Sequence, residues 1–276
     1  MSRLTLKSEI TYEGVGLHSG RPAKIKLTPA QSGSGYVFNF SGEHYPIQSA
    51  VHSGDGRGTV LTFGKHRIMT VEHLLAALAG LGVDDVEICP ESEETPLLDG
   101  SALCYAEKIS AAGLQEQSGE RTYIRISSPV FTASEDEKKI CAAFPSDVLR
   151  FTYVLEYGDN AIGSQIATVQ PTPENFVEEL ALCRTFCLYE EVKQMQSMGL
   201  GLGGTVETCL IVKGHDILTP GGLRRKDEFV RHKILDMLGD LTLLGRPVIG
   251  HFIAIRAGHA MHQKLADCIA GIQRFN

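Results

Sequence analysis

The chain has 276 residues, 43% of them hydrophobic and 21% charged, a balance that suits a soluble globular protein of one large domain or two ordinary ones. Its net charge is −7 and no basic cluster dominates, which argues against a nucleic-acid partner. An odd count of seven cysteines without a CxxC pair, and a start (Met1 to Glu13) without the apolar core of a secretion signal, predict reduced thiols in the cytoplasm.

Leu4 to Leu6, Ile10 to Tyr12 and Ala23 to Leu27 read as strands. The stretch Gly14-Val15-Gly16-Leu17-His18-Ser19-Gly20 reads as the glycine-punctuated connection between the second and third. His18 in such a loop is more often structural than chemical. Tyr36 to Phe40 and Val60 to Phe63 are further strands. Gly54 to Gly58 reads as a loop at a hairpin tip, with His52 just before it. Thr70 has the chemistry of an N-cap and Gly80 that of a stop, so Val71 to Ala79 is predicted as a buried helix with Glu72 and His73 in its first turn. Glu72 there complements the helix dipole; a carboxylate beside an imidazole also offers a base and a ligand to a metal hydrolase. The pattern HExxH is absent because Ala77 follows His73 by four, so any other ligands come from a distant segment. The apolar run Leu74 to Val83 is too short to cross a bilayer, and no transmembrane segment is expected.

Val83 to Cys89 reads as a strand, Thr95 to Ser101 as a turn, and Ala102 to Ala112 as a helix. Gly113 to Arg121 is polar and loop-like, and a domain boundary is placed there: residues 1–117 form one unit and 122–276 the other. Tyr123 to Ile126, Val130 to Thr132, Lys139 to Ala143 and Arg150 to Tyr157 restart a strands-then-helix order. The expected class is therefore α+β, with two similarly built domains, each a sheet packed with helices. Pro173 to Leu180 suits a helix. Cys183 and Cys187 have a spacing open to metal binding, with core packing the preferred reading. Tyr189 to Met198 reads as a short amphipathic helix, followed by the glycine run Gly199 to Thr205 and a strand, Thr208 to Val212. The run does not match a nucleotide-cradling GxGxxG, and a mobile βαβ flap is expected instead. Met195, Met198, Leu200 and Leu202 are candidates for an apolar channel or for plain core.

The most informative stretch is Val230 to Leu241. Its apolar positions cover most of a helical surface, which predicts a largely buried helix. Through that surface runs one polar row, His232, Asp236 and Asp240, stacked four residues apart. Such groups are costly to bury unless paired or bound to a cation. Val248 to Ile255 is a buried strand, and His259 stands in the turn before a final helix to about Ile272.

His73, His232 and Asp236 make a three-ligand set, which leaves a coordination position open for water, as catalytic metal sites do. A divalent cation there activates water and polarises a carbonyl. Glu72 is placed to take a proton, and Asp240 to hold His259 protonated so that it can give one to a leaving amine. Thr185 is the candidate donor to a developing oxyanion. This predicts metal-assisted amide hydrolysis. The same ligand types also suit a non-haem Fe(II) oxygenase, and a non-catalytic metal-binding module is a third option.

With these residues in place, the chain resembles the zinc-dependent UDP-3-O-acyl-N-acetylglucosamine deacetylases of lipid A biosynthesis. The likeness runs over nearly the whole chain: Gly14 to Gly20, Thr70-Val71-Glu72-His73-Leu74-Leu75, Leu98-Asp99-Gly100-Ser101, Arg184-Thr185-Phe186, Gly203-Gly204, Glu228 to Asp236 with Gly239-Asp240-Leu241, and Gly258-His259-Ala260. The resemblance implies Zn2+ on His73, His232 and Asp236. It implies Glu72 as base, His259 as acid with Asp240 as its partner, and Thr185 polarising the carbonyl. Lys233, Phe186 and His18 are implied as substrate contacts, and a UDP-linked acylated amino sugar as the substrate. It further implies a βαβ insert, about residues 187–212, forming the acyl passage. Another N-acyl amino-sugar amidase with the same ligands is the nearest alternative. A monomer is the default expectation. Two positions depart from the family's usual pattern: Arg225 stands where Tyr is usual, and Thr208 where Asn is common.

Overall fold

The computed structural model describes residues 1–54 and 57–273. The first half runs through strands β1 (Ser2–Leu6), β2 (Ile10–Val15), β3 (Pro22–Pro29), β4 (Tyr36–Phe40), β5 (Glu43–Pro46), β6 (Val51–Ser53), β7 (Val60–Phe63) and β8 (His66–Met69). Helix α1 (Glu72–Gly80), strand β9 (Val86–Pro90), helix α2 (Leu103–Ala112) and strand β10 (Leu114–Glu120) complete it. The second half has β11 (Ile124–Arg125), β12 (Val130–Ala133), β13 (Ile140–Phe144), β14 (Leu149–Glu156), β15 (Ser164–Val169), β16 (Phe186–Leu188), α3 (Tyr189–Ser197), β17 (Leu210–Lys213) and β18 (Asp216–Ile217). It ends with α4 (Glu228–Leu241), β19 (Val248–Ile255) and α5 (His259–Gln273).

Each half folds around a sheet with the same wiring. The strand order is β2-β3-β9-β4-β5 in the first and β12-β13-β19-β14-β15 in the second, with β11 alongside β19. In both, the last strand of the sheet enters between earlier ones, parallel to one (β4, β14) and antiparallel to the other (β3, β13). The alternation that makes these strands is plain in β3, where Ala23, Ile25 and Leu27 are buried, and in β14, where Phe151, Tyr153 and Leu155 are. Helix α4 packs on β14 and β15, α5 on β12 and β13, and α2 on β2. The architecture is thus α+β with two similarly built halves, and β16-α3-β17, whose strands pair in parallel, is the βαβ unit of the second.

Helices α1 and α4 pack against each other across the two halves. They come close because Gly239 faces the Glu72 backbone: a Cβ there would lie 2.2 Å from the Glu72 carbonyl oxygen. All of α4 from Glu228 to Leu241 is buried except Arg231 and Lys233, so its polar row is carried into the interior.

Several expectations change. Residues 113–121 are not a loop: β10 pairs antiparallel with β1, Leu114 opposite Leu6 and Glu116 opposite Leu4. This two-stranded ribbon is mostly exposed on the β10 side, so its sequence stays polar without the alternation that betrays a half-buried strand. Thr70 does not cap α1. The helix begins at Glu72 with Val71 at the cap position, and Thr70 adopts a left-handed φ of 54°. Gly80 lies inside the helix, where a Cβ would meet the Phe176 ring at 2.2 Å; packing, not termination, demands glycine there. The helix expected from Pro173 is reduced to a five-residue π-helical turn, Val177–Ala181. The short strands β5, β6, β8, β15 and β18 escaped sequence reasoning because they are brief or, like β15, alternate polar residues at an exposed edge. The loop read at Gly54 to Gly58 connects β6 to β7, which pair antiparallel; its Asp55 and Gly56 lie outside the described residues. Among the described residues, no helix is long and apolar enough to cross a membrane.

Candidate active site

The first turn of α1 and the polar row of α4 meet where the two helices pack. Asp236 Oδ1 lies 3.3 Å from His232 Nε2 and 3.6 Å from His73 Nε2. The donor atoms of His73, His232 and Asp236 all fall within 4.8 Å of one another. The His232 Nδ1–H donates to the Cys183 carbonyl at 3.1 Å. That leaves the Nε2 lone pair aimed at the Asp236 oxygen, the arrangement in which a neighbouring carbonyl sets the tautomer of a ligand. Asp236 Oδ1 is buried and has no hydrogen-bond partner among the described residues. Two imidazole nitrogens converging on an unpartnered carboxylate oxygen in a dry site form a donor set that fits a cation. Burial pushes the His232 pKa down to about 3, which keeps the imidazole in the neutral, ligating form. Burial also opposes ionisation of Asp236, but the neighbouring His232 ring, the Lys233 ammonium and the His259 imidazolium outweigh it and hold its pKa well below the usual carboxylate range.

Glu72 sits beside this group. Its Oε2 accepts the Thr59 N–H at 3.0 Å, and its Oε1 is 4.0 Å from His259 Nε2. Burial raises its pKa. His259 is the first residue of α5; its Nε2 is 3.7 Å from Asp236 Oδ2 and its Nδ1–H donates to Asp240 Oδ2 at 2.9 Å. Burial disfavours its charged form, but Asp240 and then Asp236 outweigh that and lift its pKa to about 9. Asp240 responds in the opposite sense: burial opposes its charge, and His259 with His262 brings its pKa down to about 2.

The remaining expected residues line the same cavity, which has a volume of about 380 Å³. Lys233 donates from Nζ to Asp236 Oδ2 at 2.7 Å and lies 5.6 Å from the centre of the Phe186 ring. Phe186 is braced edge-on by Phe229 at a centroid distance of 5.1 Å. Thr185 is fixed through its backbone, its N–H donating to the Gly100 carbonyl and its own carbonyl accepting the Leu210 N–H, each at 2.8 Å. His18 is buried, and its Nδ1 accepts the Gly201 N–H at 3.3 Å, so the proton is on Nε2, which finds no partner among the described residues. The structure therefore brings Glu72, His73, Thr185, Phe186, His232, Lys233, Asp236, His259 and His18 to one cavity, with Asp240 directly behind His259.

The structure also places the features at the margin of the site. The glycine run is pinned to the His18 loop: the Leu202 N–H donates to the His18 carbonyl at 3.2 Å and the Gly203 N–H to the Leu17 carbonyl at 2.9 Å. Of the four apolar residues proposed for a channel, Met195 lines the cavity, whereas Met198 and Leu202 are 57% and 53% exposed. His52 faces away, bonding Gln263 and Asp267. Arg225 and Thr208 make local contacts, with the Glu178 carbonyl and with Thr205, outside the ligand set.

Residues 3–271 match the model of the family described as UDP-3-O-acyl N-acetylglycosamine deacetylase. The chain belongs to that deacetylase family. It is 40% identical over 269 residues to the UDP-3-O-acyl-N-acetylglucosamine deacetylase of Chlamydia muridarum, covering 96% of this chain and 93% of that one. The protein of the same name from Chlamydia trachomatis serovar D is 41% identical over 269 residues, with the same coverage. That of Oleidesulfovibrio alaskensis is 40% identical over 271 residues, covering 95% of this chain and 87% of its own. Membership of the deacetylase family does not favour the oxygenase alternative.

In this member of the deacetylase family, the groups that sequence reasoning missed are those that support the site from behind. The Thr59 hydroxyl donates to Asp240 Oδ1 and receives the Gln263 Nε2–H at 3.1 Å. His262 donates from Nδ1 to Asp240 Oδ2 at 2.8 Å, while its Nε2 accepts the Tyr153 hydroxyl at 3.1 Å. Asp240, His259 and His262 are also near enough to hold a cation, but both Nδ1 atoms already carry protons bonded to Asp240. His262 had a readable signal, since it falls one turn after His259 on the same helix face. Thr59 had none.

Proposed function

We infer that the chain hydrolyses the 2-acetamido group of a UDP-3-O-(3-hydroxyacyl)-N-acetylglucosamine, releasing acetate and a free glucosamine amine, with zinc held by His73, His232 and Asp236. The observation that carries this reading is the unpartnered Asp236 oxygen between two imidazole nitrogens, flanked by a carboxylate of raised pKa on one side and an imidazole of raised pKa on the other. The chemistry supplied by a bound zinc is Lewis acidity, which brings the pKa of water to roughly 7 and polarises a carbonyl.

The protein groups do the rest. Glu72, held by the Thr59 amide, accepts a proton from the attacking water; burial makes it a better base than an exposed glutamate. His259 Nε2 donates a proton to the departing amine, and Asp240 behind it stabilises the imidazolium. The Thr185 hydroxyl and the Lys233 ammonium stabilise charge on the carbonyl oxygen. Phe186 and His18 contact the sugar nucleotide and its acyl chain. The chain itself passes into the part of the cavity beside α3 and β17, lined by Val192, Met195 and Ile211.

The same reading divides the protein into domains of residues 1–117 and 122–276, with the insert at about 187–212. The repeated strand order supports this, as does the return of β10 to β1 at the end of the first half. It also places a monomer in the cytoplasm, which the seven unpaired cysteines support. The test is acetate release from the UDP-linked acylated sugar with and without a chelator, then with added zinc. Release that a chelator abolishes and zinc restores is expected; no release under any metal overturns the reading.

A further inference from the structure

Glu94, in the segment between β9 and α2, is 3% exposed, and its carboxylate is held by neutral donors. Oε1 accepts the His18 N–H at 2.7 Å and the Thr70 hydroxyl at 3.0 Å; Oε2 accepts the Ser19 N–H at 2.9 Å. A carboxylate carrying two loop amides and a hydroxyl makes charge-assisted bonds, roughly twice as strong as neutral ones. The loop is built to receive it: a Cβ on Gly16 would lie 2.2 Å from Glu94 Oε2.

The held segment is the one on which the insert rests. The His18 and Leu17 carbonyls accept the Leu202 and Gly203 amides, and His18 Nδ1 accepts that of Gly201. Contact there is backbone to backbone, since a Cβ on Gly203 would lie 2.1 Å from the Gly16 carbonyl oxygen. The Oε1 that holds the His18 amide also restrains Thr70, whose left-handed φ of 54° costs energy in a β-branched residue, two positions before Glu72. One buried carboxylate thus ties the loop, the glycine run docked on it, and the entry to α1.

We propose that Glu94 is a positioning residue that sets how much the reaction gains from the acyl chain, by fixing the loop against which the βαβ insert closes. It rests on the deacetylase reading above, in which the insert borders the acyl passage. Glu94 does not touch the reacting atoms. It acts through the His18 and Ser19 amides on the wall that the chain packs against, so its loss weakens long chains selectively. Any effect carried through Thr70 to Glu72 falls on all substrates alike.

The test is Glu94→Gln, which keeps the shape but turns a donor toward one of the loop donors. Acetate release is measured on the UDP-linked sugar bearing a long saturated acyl chain and on the same sugar nucleotide bearing a butyryl group, with melting temperature and metal content recorded alongside. Losing one such bond predicts a fall of about tenfold in the long-to-butyryl ratio of kcat/KM, carried mainly by KM. Gly16→Ala leaves Glu94 in place but displaces its carboxylate, and the same fall is expected from it, so a folding defect in one variant does not remove the test. A ratio equal to that of the unaltered protein, whether both substrates slow together or neither does, overturns the role of Glu94. Absence of acetate release from the unaltered protein instead overturns the deacetylase reading.

Discussion

Replacing Asp240 by Asn isolates the electrostatic support of His259. The substitution keeps the side-chain volume and still offers an oxygen to the Thr59 hydroxyl. It removes the charge 2.9 Å from His259 Nδ1, the strongest attraction lifting that imidazole to about 9 against the effect of burial. Without it, burial is opposed only by Asp236 and Glu72 and the His259 pKa falls, each unit of the fall being about 1.36 kcal/mol in proton affinity. The sign follows from the role: an acid works while protonated, so activity is present below its pKa and is lost as pH rises through it. A cation on His73, His232 and Asp236 offsets the Asp236 contribution, so the alkaline limb of the loaded enzyme lies below about 9 while the Asp240 contribution persists. The pH–rate profile of acetate release reads this directly. In Asp240→Asn the alkaline limb is expected to move down by at least one pH unit, so that at pH above the limb of the unaltered protein the rate lies at least about tenfold below that protein's. A limb that stays where it was, with the rate largely retained, would refute the argument that Asp240 holds the proton on His259.

Three further outcomes follow from the same geometry. Glu72→Gln is expected to retain metal, because Glu72 is outside the three-ligand set, and to lose about 10²- to 10⁴-fold in kcat; metal analysis beside steady-state rates checks both halves. Adding zinc to metal-stripped protein should raise the melting temperature, since binding to the folded state alone stabilises it and supplies the missing partner of Asp236 Oδ1; an unchanged melting curve argues against the site. Gly239→Ala should destabilise the fold by about 1–3 kcal/mol in urea unfolding and weaken metal binding, because its Cβ, 2.2 Å from the Glu72 carbonyl, pushes α1 from α4; native stability and affinity would count against that close approach.

Elements with one strong period were legible without coordinates. The α4 helix declared itself because an apolar surface carried three polar groups four residues apart, and β4, β7 and β19 have the bounds that their apolar runs suggest. The chemistry of the site was legible too, since Glu72-His73, His232 and Asp236 are residue types whose burial demands a partner. What lets them converge was not. Convergence depends on a glycine-permitted approach of α4 to α1 at Gly239, between segments remote along the chain, as the docking of the insert depends on the approach of Gly203 to the loop at Gly16. β10 stayed hidden for a related reason: an exposed ribbon buries too little to impose a pattern, and only its partner β1 makes it a strand. Thr59 and Glu94 belong with it. Periodicity records which face of an element is buried; what that face meets, and so which hydrogen bonds hold Asp240 and the His18 loop, is settled only when the packed elements come together.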